Sequence, residues 1–273
     1  MRKIVFGLLI FICVVSLTVT AESYQNPAVI TAPSGASLRA GPKTSATRLA
    51  LVPALAEVNI LGYSDEHVTV EGVKGCWQKV SWQGKEGYVF AGLLCSDPEE
   101  MQQINNMNKL IKRETNRLIL TLSNGKTVEI HDKPVFGEES LRCRFKGRLT
   151  DQPLYAVEQT GWEWGNILLF NSNDGRRLEV DAMPVFSPCG EKFVTANCDL
   201  HAAYNPNRLQ IFKMVDGMGI VEWTIEPDAW GPENPHWESE TCIKFTRREM
   251  DGSERPVSVS YDSDHKSWQL SDQ

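Results

Sequence analysis

Three stretches decide the reading of the N-terminal third of the chain: Ser37-Leu38-Arg39-Ala40-Gly41-Pro42, Trp77-Gln78-Lys79-Val80-Ser81-Trp82 and Gly84-Lys85-Glu86-Gly87-Tyr88-Val89. Apolar and polar residues alternate through 77–82, as they do in Ala28–Ala32 and Glu57–Leu61, which is the pattern of half-buried strands. Pro33-Ser34-Gly35, Gly41-Pro42 and Gln83-Gly84-Lys85 are turn signals between them. Gly41 tolerates positive φ and Pro42 fixes the turn that follows. Gly87 allows a bend or a close backbone approach beside Tyr88. Short strands at this spacing predict a small barrel over residues 24–95. In a regular strand Trp77 and Val80 point to opposite faces, with Trp77 expected in the core and Trp82 on the face away from it.

The same residues resemble the bacterial SH3-like (SH3b) domain. Its hallmark is an Asn-Leu/Val-Arg-x-Gly-Pro opening and a Trp-x-x-Val, then Gly-Tyr/Trp-Val close. Here Ser37 stands in place of the opening Asn, and Leu49–Pro53, Gly75–Val80 and Gly92-Leu93-Leu94 fill the rest of the pattern, so the resemblance covers residues 28–95. It implies recognition of cell-wall peptides or of protein partners, often through an aromatic groove. Arg39, Trp82 and Tyr88 are the expected groove residues, with Arg39 placed to pair with a carboxylate.

Working outward, Arg2-Lys3, the uncharged apolar run Ile4–Val15 and the small residues of Val19-Thr20-Ala21 have the layout of a secretory signal peptide over 1–21. Cleavage after Ala21 leaves a chain with no later span, placed in the periplasm or outside a bacterial cell. The alternative is an uncleaved anchor. The whole chain carries a formal charge of −7, so removing Arg2 and Lys3 gives −9. Such an acidic chain is a poor nucleic-acid binder, because phosphate contacts need clustered Lys and Arg.

On the C-terminal side, Asp97-Pro98-Glu99-Glu100 reads as a helix start. Apolar residues at Met101, Ile104, Met107 and Ile111 continue one face, predicting a connector helix over roughly 98–114 within a 96–116 linker. Residues 117–273 then read as an open propeller-like or meandering antiparallel β-domain, which makes the whole chain mostly β. The reading rests on a repeat: Asn124-Gly125 and Asp174-Gly175 each lie between alternating runs, 50 residues apart, and Phe136 and Phe186 keep the same spacing. Weaker copies centre on Asp216-Gly217 and Asp251-Gly252. Phe186-Ser187-Pro188-Cys189-Gly190-Glu191-Lys192-Phe193 resembles the Phe-Ser-Pro-Asp-Gly-x-x-Phe turn of β-propeller repeats, with Cys189 in place of Asp. Blades need ~40 residues each, so four would barely fit.

Of the seven cysteines, Cys13 lies in the apolar leader, and an even set remains. In an exported chain an even set reads as disulfides, although many pairings are open. The expected pairs are Cys76–Cys95 in the closing half of the SH3-like unit, Cys189–Cys198 across the hairpin after Phe186, and then Cys143–Cys242. The five histidines show no zinc-binding spacing, and around Asn171–Gly175 the calcium-loop ligand positions fall on Phe170, Ser172 and Asp174, the first of which offers no side-chain oxygen. No metal, cofactor or catalytic residue is expected. SH3b domains often accompany papain-like peptidases, but Cys198 follows Asn197 in a β-region, which is a poor setting for a nucleophile even with His201 near in sequence. The aromatic loops Gly161–Gly165 and Asp228–Trp237 read either as a ligand rim or as plugs sealing sheet ends. The leading expectation is a non-catalytic envelope protein that binds peptidoglycan or an envelope protein. The alternative is a cell-wall or other envelope hydrolase whose site lies unrecognised in the β-domain.

Overall fold

The computed structural model describes residues 26–107, 109–149 and 151–271; the expected signal peptide lies outside them. The first unit is built from β1 (Pro27–Ile30), β2 (Ala36–Arg39), β3 (Arg48–Val52), β4 (Glu57–Tyr63), the small hairpin of β5 (Val68–Val70) and β6 (Val73–Gly75), β7 (Trp77–Trp82), β8 (Lys85–Phe90) and β9 (Leu94–Cys95). Apart from the β5–β6 hairpin, these form one antiparallel sheet in the order β3-β2-β8-β7-β4-β1-β9. Ala28, Ile30, Leu38, Val52, Val58, Val80 and Val89 make its core, and Leu94 packs against them. Both edge strands thus reach one core, so the sheet curls as an SH3-like fold does. It does not close into the expected barrel: β3 pairs only with β2, and the two-residue β9 pairs only with β1 before the chain leaves.

The connector helix α1 (Pro98–Asn105) starts where the sequence says and stops early. Asp97 Oδ1 accepts from the backbone N–H groups of Glu99 and Glu100 at 3.0 and 3.1 Å, and Pro98 occupies the first turn. Beyond Asn106 the expected helix gives way to β10 (Ile111–Glu114), which pairs with β11 (Arg117–Thr121). Met101, Ile104 and Ile111 are buried in one cluster with Met107 packed against it, so the apolar spacing was real while the backbone carrying Ile111 is a strand.

Four antiparallel meanders follow. They are β10–β11 with β12 (Thr127–His131); β13 (Arg142–Arg148), β14 (Leu154–Thr160), β15 (Gly165–Asn171) and β16 (Arg177–Val180); β17 (Val185–Phe186), β18 (Lys192–Asn197), β19 (Arg208–Val215) and β20 (Met218–Ile225); and β21 (Trp230–Ser239), β22 (Cys242–Glu249), β23 (Glu254–Asp262) and β24 (Ser267–Ser271). All four repeat dipeptides fall at hairpin turns. Asp216 and Gly217 link β19 to β20 with φ of 50° and 73°, the positive pair that a two-residue I′ turn requires. The sheets stack in chain order. Tyr155, Val157, Leu168 and Phe170 face the β10–β12 side, and Ala156, Ile167 and Leu169 face Phe193 and Phe212 of the next sheet. This two-sided burial explains the unbroken apolar run in β15. Val194, Leu209 and Ile211 then meet Trp230, Ile243, Phe245 and Val259 of the last sheet. No core cluster among the described residues joins the first sheet of this stack to the last, so the arrangement is an open, propeller-like stack.

The expected disulfides do not form: Cys76, Cys95, Cys143, Cys189, Cys198 and Cys242 are all free thiols. Cys189 and Cys198 flank opposite ends of β18, ~20 Å apart at strand rise, where bridging needs Cα atoms within about 7 Å. Cys143 and Cys242 lie on β13 and β22, in sheets separated by another whole sheet at ~10 Å per layer. Cys95 turns its thiol to Glu100 rather than to Cys76, with Sγ 3.1 Å from Oε2.

Candidate functional site

Strand alternation decides which of the expected groove residues can meet. β7 and β8 pair Trp77 with Phe90, Lys79 with Tyr88, Val80 with Gly87 and Trp82 with Lys85. Val80 and Val89 are core, so Trp82 shares the inward face and packs against that core. Arg39 pairs with Tyr88 on the outward face. The structure therefore brings Arg39 and Tyr88 together and sends Trp82 to the opposite side. Trp77, expected in the core, is buried on the outward face instead, with its ring edge-on to Phe90 at 5.9 Å.

That outward face forms a groove of about 770 Å³, lined by Ser37, Arg39, Leu51, Glu71, Trp77 and Phe90 among others. The size lies within the range of small-molecule sites, and the lining mixes apolar walls with a few polar groups. Arg39 is fixed by its Nη1 donating to Ala46 O at 2.9 Å. The Trp77 indole Nε1 is buried and has no hydrogen-bond partner. Gly87 permits the crossing beneath: a Cβ there would lie 2.6 Å from Arg39 O. The signal that would have found Trp77 is parity, since Trp77 and Phe90 alternate with the core valines.

A second site lies at the joint between the SH3-like unit and the sheets beyond. Arg113 of β10 is inserted between two carboxylates, with Nη2 2.5 Å from Glu100 Oε1 and Nη1 2.7 Å from Asp132 Oδ2. The side chains of Arg113 and Glu100 are each only 2% exposed, which only pairing makes tolerable. Nη2 also donates to Cys143 O, Phe145 N donates to Glu100 Oε1 at 2.9 Å, and Cys143 N donates to Asp132 Oδ1 at 2.8 Å. Burial works against the Arg113 charge, but the two carboxylates hold its pKa above the ordinary value. Burial raises Asp132 despite Arg113 beside it. Around this cluster lies a cavity of about 260 Å³, whose walls include Gln78 and Cys95 on one side and Lys133, Phe136, Arg142 and Gly161 on the other.

The remaining chemical candidates are dispersed. Cys198 faces Glu233, and burial together with that carboxylate raises its pKa, the opposite of an activated thiol. His265 lies 2.7 Å from Asp262 on the exposed turn between β23 and β24. The two aromatic loops split. Trp230 is buried in the last interface and Trp237 donates its Nε1 to Val185 O at 2.8 Å, so both serve packing. Trp162 and Trp164 are 50% and 38% exposed, and Trp164 lies against Gly161, where a Cβ would be 2.2 Å from its ring. No group of His, Cys, Asp and Glu among the described residues is arranged to hold a metal ion. No helix among them is long and apolar enough to cross a membrane.

Residues 34–94 match the family model of the bacterial SH3 domain. The match spans the sheet from the turn before β2 to β9 and contains both faces described above. A search of curated proteins finds no match.

Proposed function

We propose that this is an exported, non-catalytic binding protein of the cell envelope, in which the SH3-like unit holds a cell-wall component or a protein partner. One observation carries the reading: a groove of about 770 Å³ on the outward face of a bacterial SH3 domain, with Arg39 fixed at its wall and the Trp77 indole N–H buried without a partner. A bound peptide or glycan would give that N–H an acceptor and would pair a carboxylate or hydroxyl with Arg39. The leader-like sequence of residues 1–21 supports export. The displacement of Trp82 to the core face moves the site to Arg39, Leu51 and Trp77 while keeping the same domain as the binder.

Sedimentation with purified peptidoglycan tests the reading. Wild-type protein should be retained, and Arg39→Ala and Leu51→Asp should each lower retention by ~tenfold, the loss expected for a well-placed contact. Both substituted side chains lie at least partly in solvent, so the fold should persist. Trp82→Ala should instead lower thermal stability, because Trp82 packs on the core. Absence of retention, or retention unchanged in both groove variants, removes peptidoglycan as the ligand of this groove.

A further inference from the structure

The joint cavity is a second, independent site, and its polar lining is unusual in what it leaves open. Arg113 Nε and Gln78 Oε1 are both buried without hydrogen-bond partners, and both residues line the cavity. One is a donor and the other an acceptor, and a buried polar group left unpaired is unfavourable until a partner reaches it. The charges around them are also mixed. Asp97, Glu100 and Asp132 line the cavity with Arg113 and Arg144, and Arg144 Nε stands 3.3 Å from Asp97 Oδ2. Lys133 and Arg142 line it too; both are exposed, and neither nitrogen head group lies within 4 Å of a carboxylate oxygen among the described residues, although Arg142 acts at longer range on Asp132 and Lys133 on Glu139. The carboxylate oxygens of all three acids are already engaged, by Arg113, Arg144, the Cys95 thiol and backbone N–H groups, so the two cations outside any ion pair favour a carboxylate.

The walls are held before any ligand arrives. Segment 132–142 is closed by the Lys133–Leu141 bridge. It is pinned to the SH3-like unit by Phe136 N donating to His67 Nε2 at 3.0 Å and by Lys74 Nζ at 2.5 Å from Glu139. Trp164 covers Gly161 at the opposite wall. A volume of about 260 Å³ takes the equivalent of eight or nine waters at ~30 Å³ each, which is the size of an amino acid or a dipeptide.

We propose that the joint cavity binds a small zwitterion, a free amino acid or a peptide end, with its carboxylate at Lys133 and Arg142 and its N–H groups toward the unpartnered Gln78 Oε1. The site lies between the SH3-like unit and the sheet stack, so an occupant would touch both and tighten their union. It does not depend on the outward groove, whose ligand is tested separately.

Isothermal titration of the full chain with glycine, glycylglycine, acetate and inorganic phosphate tests this. Saturable binding of glycine or glycylglycine is expected, with acetate and phosphate at least tenfold weaker. The double variant Lys133→Ala, Arg142→Ala should lose ~tenfold or more in affinity, and Gln78→Leu should lose a smaller factor. Lys126→Ala, on the exposed turn between β11 and β12, should titrate as wild type. Circular dichroism checks that each variant is folded. No heat from any probe up to about 10 mM, a Kd range that covers even weak single-group recognition, overturns the proposal. Phosphate binding more tightly than glycylglycine, or affinity unchanged in the double variant, overturns it as well.

Discussion

Cys95 and Arg113 show how much a single buried residue controls at the joint. Burial pushes the Cys95 thiol up to about 12, and the Glu100 carboxylate beside it adds to the shift; burial likewise raises Cys143 to about 11. A raised folded-state pKa means that folding favours the neutral thiol. The resulting stability is complete below the ordinary thiol value and is lost as pH climbs from about 9 toward 12. The melting temperature should therefore fall steeply across that alkaline window, and Cys95→Ala should flatten the fall. Iodoacetamide at pH 8 should label exposed Cys189 in the native protein and Cys76, Cys95 and Cys143 only after unfolding, because the thiolate is the nucleophile. Mass spectrometry without reductant reads both results, and failure to label Cys189 while native would place that thiol in a bond. Arg113 is the converse case. Arg113→Met leaves Glu100 and Asp132 buried without their cation and should cost about 3–5 kcal/mol in urea unfolding. None of this was legible in Ile111-Lys112-Arg113-Glu114, because an arginine reads as a surface residue until partners 13 and 19 positions away are brought to it.

At the scale of elements, local chemistry was legible where it acts locally. The Asp97 cap and the Asn-Gly and Asp-Gly turns are settled by a few neighbouring residues, and each lies where the sequence put it. Asp97→Ala should cost about 1 kcal/mol as a lost cap, and more if its ion pair with Arg144 contributes; a thermal melt beside wild type measures it. The end of α1 was harder to see, because Met107 and Ile111 extend the helical spacing by chance of register while Ile111–Glu114 finds a strand partner in Arg117–Leu120. The groove was legible at this scale only in part, because Arg39 and Tyr88 share a face and Trp82 does not. Motif spacing nominated Arg39, Trp82 and Tyr88 together, but cross-strand pairing assigns faces, and it leaves Trp82 with the core valines. The cysteine pairs failed because an even count carries no distances.

At the scale of the molecule, the SH3-like unit and the sheet stack were legible as two blocks, whereas the core they share was not. Val29 of β1 and Cys95 of β9 are buried with Met101, Ile104, Ile111, Leu118 and Phe145, across the boundary that the sequence places near Ser96. The unit's own core, from Ala28 to Val89, lies entirely on the N-terminal side of that boundary. These two facts set the behaviour of a 22–95 fragment. It keeps every strand of its sheet and the whole of that core, so it should fold. It also bares the Val29 and Cys95 side chains, and exposing a side chain of the size of Val29 forfeits ~1.5 kcal/mol or more of burial. The fragment should thus show a β-type circular dichroism spectrum and a cooperative melt, at a lower temperature than the corresponding transition of the full chain. Val29→Thr separates the two contributions. In the full chain it should lower the melting temperature, because it puts a hydroxyl into the shared core. In the fragment, where that face meets water, it should change the melt little. A fragment with a random-coil spectrum would instead place the stability of the SH3-like sheet in its union with α1 and the sheets beyond.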